Sequence, residues 1–74
     1  MRPTIGRIVH AHFRLHEGAD EDGPDVAFVT RVWSHECINI TIIRDGYHSF
    51  VVATSVMQAN TLGGWRWEWP PRGE

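Results

Sequence analysis

The chain has 74 residues, a single cysteine, four tryptophans and a formal charge of −2. One cysteine leaves no internal disulfide and no four-thiolate zinc ribbon, and no apolar stretch reaches the ~20 residues a membrane-spanning helix needs. A single domain over 1–74 is expected, and at this length it buries only about 60% of its unfolded surface, so dense aromatic packing or a homo-oligomer is expected to make up the deficit.

The charge is unevenly spread. Glu17, Asp20, Glu21, Asp22 and Asp25 place five of the nine acids in one nine-residue stretch. Outside it stand seven Arg against Glu36, Asp45, Glu68 and Glu74, which is 7 − 4 = +3 before histidine is counted. The body is therefore mildly basic and carries an acidic flap. Every basic side chain is Arg, a residue suited to planar, bidentate recognition of phosphate or carboxylate, although high-GC codon usage gives the same bias. Met1-Arg2-Pro3-Thr4 leads directly into a strand-like segment, so no signal peptide is expected and the chain reads as cytosolic.

Ile5 to Leu15 alternates. Ile5, Val9, Ala11, Phe13 and Leu15 share one face with Arg7, while Gly6, Ile8, His10, His12, Arg14 and His16 share the other. This predicts a long strand with a polar, imidazole-rich outer face. Glu17 to Asp25 is a loop by composition. Val26 to Trp33 predicts a second strand, and Cys37 to Ile43 a third, with Ile38, Ile40 and Ile42 inward. The Asp45-Gly46 pair predicts a tight hairpin into a fourth strand, Tyr47 to Thr54. Ser55 is a possible cap for one helical turn through Gln58. Trp65-Arg66-Trp67-Glu68-Trp69 then alternates perfectly, placing three indoles on one face and two charges on the other, before Pro70-Pro71 ends the strand. Five strands and at most one short helical turn predict an all-β fold, a small five-stranded SH3-like or OB-like barrel.

Chemistry is sparse. His10 and His12 share a strand face, continued by His16, and His35, Glu36, Cys37 and His48 could complete a zinc set, but no compact ligand spacing links them and no metal or other cofactor is expected. The same row reads equally as a solvated face or as a subunit contact weakened when histidines protonate. Cys37 follows His35 on a strand without forming a nucleophile–base pair, and no phosphate loop, nucleophile elbow or paired carboxylates are present, so an enzyme is not expected. A net-negative chain with an acidic flap suits a long polyanion poorly, which disfavours nucleic acid. A small anion fits better, held by Arg and a histidine while a base stacks on Trp. At least one of Trp65, Trp67 and Trp69 is expected to pack in the core, leaving another for a ligand or partner.

Arg2-Pro3-Thr4-Ile5-Gly6-Arg7-Ile8-Val9-His10, Val29-Thr30-Arg31-Val32-Trp33, Ile38-Asn39-Ile40-Thr41-Ile42 and Trp67-Glu68-Trp69-Pro70 together resemble a group of small proteins of tailed bacteriophages and prophages. The acidic stretch and residues 55–64 depart from that pattern. The resemblance implies phage origin, a small β-barrel and work in the host cytoplasm, with no catalytic residues to carry over. Small non-enzymatic phage proteins of this kind include oligomeric sponges that sequester a nucleotide immune signal. The expected function is thus binding of a nucleotide-like anion through Arg7, His10, His12, Arg14, Arg31, Trp67 and Trp69. The rival expectations are a module that docks a phage or host protein through its aromatic face and, third, a single-stranded nucleic-acid binder.

Overall fold

The computed structural model describes residues 2–16, 18–44, 50–58 and 64–71. Five strands, β1 (Ile8–Arg14), β2 (Glu21–Val32), β3 (Cys37–Ile43), β4 (Val51–Met57) and β5 (Gly64–Glu68), pair in chain order and close into a barrel. The protein is all-β, with no helix among the described residues. Neighbouring strands are antiparallel except β4 and β5, which meet in parallel at Met57 and Arg66. A consecutive meander is the SH3-like order rather than the Greek key of an OB barrel.

The inward residues follow from alternation interrupted by bulges. Val9, Ala11, Ala27, Val29, Ile38, Ile40, Ile42, Val56 and Trp67 form the buried core. Ala11 stands directly opposite Trp67, and Ala27 opposite both Val9 and Ile42. These two smallest side chains make room for the largest, as close packing requires. In β2, the register slips at Thr30, so the inward positions run Ala27, Val29, Val32. In β4, it slips at Thr54 and Ser55, so they run Val51, Ala53, Val56. Each extra residue bends and twists its strand, which lets five short strands curl shut.

Several boundaries correct the sequence expectation. β1 begins three residues later than Ile5 and ends before Leu15, and both of those side chains are exposed. β2 begins at Glu21, so half of the acidic stretch is strand and not flap. Ser55 caps no helix: it lies in β4 with φ 52°, and its amide donates to Asn39 Oδ1 at 2.8 Å. That side-chain acceptor satisfies an amide the bulge takes out of the ladder, which stabilises strand over helix. β4 is displaced toward the C-terminus relative to 47–54. Asp45, Gly46, Tyr47 and His48, and with them the predicted hairpin turn, lie outside the described residues.

A third irregularity faces His12. Between the pairs Ala11↔Asp25 and Phe13↔Asp22, β1 contributes His12 alone while β2 contributes Gly23 and Pro24. Gly23 has φ 124°, and a Cβ there would lie 2.8 Å from the Ala11 carbonyl oxygen and 3.2 Å from His12 Cα. Both obstacles are backbone, so nothing can swing aside. Gly23→Ala is expected to destabilise the protein by roughly 2 kcal/mol or more, from strain at a positive φ plus the clash. A urea titration checks this; an unchanged midpoint would refute the close approach.

Candidate functional site

The indoles of Trp65 and Trp67 in β5 and of Trp69 just beyond it all face inward, and their fates differ. Trp67 is fully buried, and its Nε1–H donates to the Glu36 carbonyl at 2.8 Å. With face and edge both occupied, it is not available to stack on a ligand. This settles one sequence-derived candidate as core. Trp69 is half-buried, edge-on to Trp67 with ring centroids 5.2 Å apart, and the Arg7 guanidinium lies 5.5 Å from its ring. Trp65 packs on its cross-strand neighbour Phe13 at 5.0 Å and lies 5.4 Å from the Arg44 guanidinium.

The opposite face of β5 builds a charge network. Arg66 grips Glu21 with two hydrogen bonds, Nε to Oε2 at 2.6 Å and Nη2 to Oε1 at 2.7 Å. His12 lies between two carboxylates, with Nε2 2.5 Å from Glu68 Oε2 and Nδ1 3.5 Å from Glu21 Oε1. Arg14 approaches Glu21 at 3.7 Å and Arg66 approaches Glu68 at 3.5 Å. The Arg66 hydrogen bond holds the Glu21 carboxyl below its ordinary range against the opposing effect of burial, aided by the charges of Arg66, His12 and Arg14. The same bond raises the Arg66 guanidinium.

His12 is therefore not on a solvated row, as alternation suggested. It is buried beneath β2 and β5, while His10 beside it is half-buried and His16 exposed. Among the described residues no cluster of three or more His, Cys, Asp or Glu is placed to hold a metal ion. His12 and Arg14 both face carboxylates, and neither lines the cleft described below. Asp25 meets Arg44 at 3.2 Å. Two of the acids that look like a separate flap in the sequence, Glu21 and Asp25, thus pair with Arg14, Arg66 and Arg44.

That neutralisation is selective. Arg2 and Arg31 pair with no carboxylate among the described residues. Both line an open cleft of about 600 Å³ together with Thr4, Ile5, Thr30 and Val32. One wall is the segment before β1. Its Pro3 is fully buried, and Gly6 and Arg7 dock on Val29 through backbone bonds of 2.7 and 2.9 Å. The other wall is the end of β2, where the Thr30 bulge sets Thr30 and Arg31 next to each other on the surface. Arg31 lies 4.8 Å over the ring of Trp33, which is 56% exposed and oriented by a 2.9 Å bond from Nε1–H to Asn39 Oδ1.

The cleft unites two unneutralised guanidiniums, two hydroxyls and an adjoining aromatic face, within the ordinary volume range of small-molecule sites. Of the residues singled out from sequence, only Arg31 lies in it. Arg2, Thr4, Thr30 and Trp33 were missed. The Arg31-x-Trp33 spacing offers a faint signal for the last, whereas the approach of 2–5 to β2 leaves none in a linear pattern. Compared with protein-family models, curated proteins and solved structures, the chain matches none, so the cleft is read from its own geometry.

Proposed function

We propose that this protein is a non-enzymatic binder of a small nucleotide-like anion, held in the cleft between the segment 2–5 and the end of β2. The observation that supports it is the selective neutralisation: carboxylates engage Arg14, Arg44 and Arg66, and leave Arg2 and Arg31 together beside an exposed indole. Arg–phosphate contacts are strong and bidentate, and a base on Trp33 adds about 1–3 kcal/mol of stacking. The resemblance to small phage proteins supplies the setting for this reading: host cytoplasm, a homo-oligomer, and sequestration of a nucleotide immune signal. Purified protein incubated with cyclic dinucleotides and ADP-ribose derivatives is expected to deplete at least one of them. Ligand at a hundredfold excess over Kd adds roughly 2.7 kcal/mol of stability, read as a thermal upshift, and Arg31→Gln is expected to abolish most of it. Retention of none of these compounds, with no thermal shift, would sink the reading.

The rival is a protein-docking module, and one observation favours it in altered form. The Trp face points inward, but the outer sheet face carries exposed Ile8, Phe28 and Val52 in one cross-strand row through Thr41, with exposed Val26 and Ile43 in the next. Contiguous exposed apolar surface marks contact sites. Sedimentation and a pull-down with Phe28→Asp distinguish the two uses. Loss of self-association assigns this face to the homo-oligomer, and loss of one stoichiometric protein partner assigns it to the rival.

A further inference from the structure

We propose that the cleft recognises its ligand by phosphate charge and leaves the base unread, so that purine and pyrimidine nucleotides are taken alike. This rests on the anion-site reading of the cleft. Among the described residues, the polar side chains lining it belong to Arg2, Arg31, Thr4 and Thr30. Guanidiniums are donors only, and their fork matches the oxygens of a phosphate. Telling adenine from cytosine or uracil usually takes Asn, Gln, Asp or Glu aimed at a base edge. Arg can read guanine, but a guanidinium committed to phosphate has its fork occupied. Among the described residues the lining holds no Asn, Gln, Asp or Glu. The amide beside Trp33 belongs to Asn39, and its carbonyl oxygen already accepts from Trp33 Nε1 and from the Ser55 amide.

What remains for the base is a π-face. Trp33 stacks under the guanidinium of the lining residue Arg31, and stacking tolerates any base because every base has a face. The orienting bond to Asn39 fixes the indole plane and uses its only donor, so Trp33 has no polar handle left for a base edge. Two guanidiniums also set a charge count. A nucleotide with two phosphates, or a doubly charged terminal phosphate, can meet both, whereas a nucleoside meets neither.

The full chain, titrated calorimetrically with the diphosphates of adenosine, guanosine, cytidine and uridine and with inorganic pyrophosphate, tests this. The four nucleotides are expected to bind within about threefold of one another, adenosine at least about tenfold more weakly, and pyrophosphate measurably. Arg2→Gln and Arg31→Gln are each expected to weaken all four equally, by about tenfold, and Trp33→Ala to weaken the nucleotides but not pyrophosphate. A preference above about tenfold for one base overturns base-blind recognition while leaving the anion site intact. Failure of every phosphate compound, pyrophosphate included, overturns both readings at once.

Discussion

Trp67→Ala is expected to cost this protein a large share of its stability. Truncating a buried aromatic costs about 3–5 kcal/mol, and a chain of 74 residues has roughly 4–11 kcal/mol in total at 0.05–0.15 kcal/mol per residue. Trp67 is the largest fully buried side chain, and it contacts a core of small and branched residues that cannot collapse into the space it leaves. Its opposite neighbour Ala11 has only a methyl group to offer. The indole also anchors the turn before β3 through Glu36, so its loss releases that connection as well. Trp67→Phe keeps most of the apolar volume and gives up the hydrogen bond, for an expected loss of about 1–2 kcal/mol. Trp69→Ala, half-buried at the margin, is expected to fall between the two. Urea denaturation followed by circular dichroism ranks them. An alanine variant that melts within a few degrees of the parent would mean that Trp67 is not the keystone of the core.

The strand pattern of the sequence was legible because period-two alternation survives wherever pairing is regular. β3 is the clearest case: Cys37–Ile43 runs without an internal bulge, and Ile38, Ile40 and Ile42 all face inward as read. β5 and the residue after it are another, since Trp65, Trp67 and Trp69 do share a face against the core. Alternation misleads where a bulge shifts phase. Ser55 reads as a helix cap because its strand role depends on Asn39, sixteen residues earlier. His12 reads as solvent-facing because the cover over it, Gly23-Pro24 and Glu68, arrives from two other strands. The electrostatics follow the same logic. Five clustered acids look like a flap in one dimension, yet two of them, Glu21 and Asp25, reach arginines 45 and 19 positions away. Which arginines are left over is decided by closure of the barrel, and a linear pattern contains no trace of it.

The same closure makes stability depend on pH in a predictable direction. In the unfolded chain Glu21 protonates near the ordinary value of 4.5, whereas in the barrel Arg66, assisted by His12 and Arg14, holds it ionised to lower pH. The unfolded state therefore binds more protons in that interval, and stability rises with pH across it. The contribution is complete above the unfolded value and is lost as pH falls through the folded one. Glu21→Gln is expected to flatten this part of the acid profile. At neutral pH it removes the counter-charge of a bidentate pair whose side chains are about one-fifth exposed, for an expected loss of roughly 1–3 kcal/mol, between the values for exposed and fully buried pairs. Because Glu21 opens β2 and Arg66 lies in β5, with β1 between them, the loss is one of closure and is expected to appear first as faster amide exchange in β5. Combining Glu21→Gln with Arg66→Gln should cost less than the two singles together, by at least about 0.5 kcal/mol. Strict additivity, or an acid profile that Glu21→Gln leaves unchanged, would show that the network follows closure of the barrel without contributing to it.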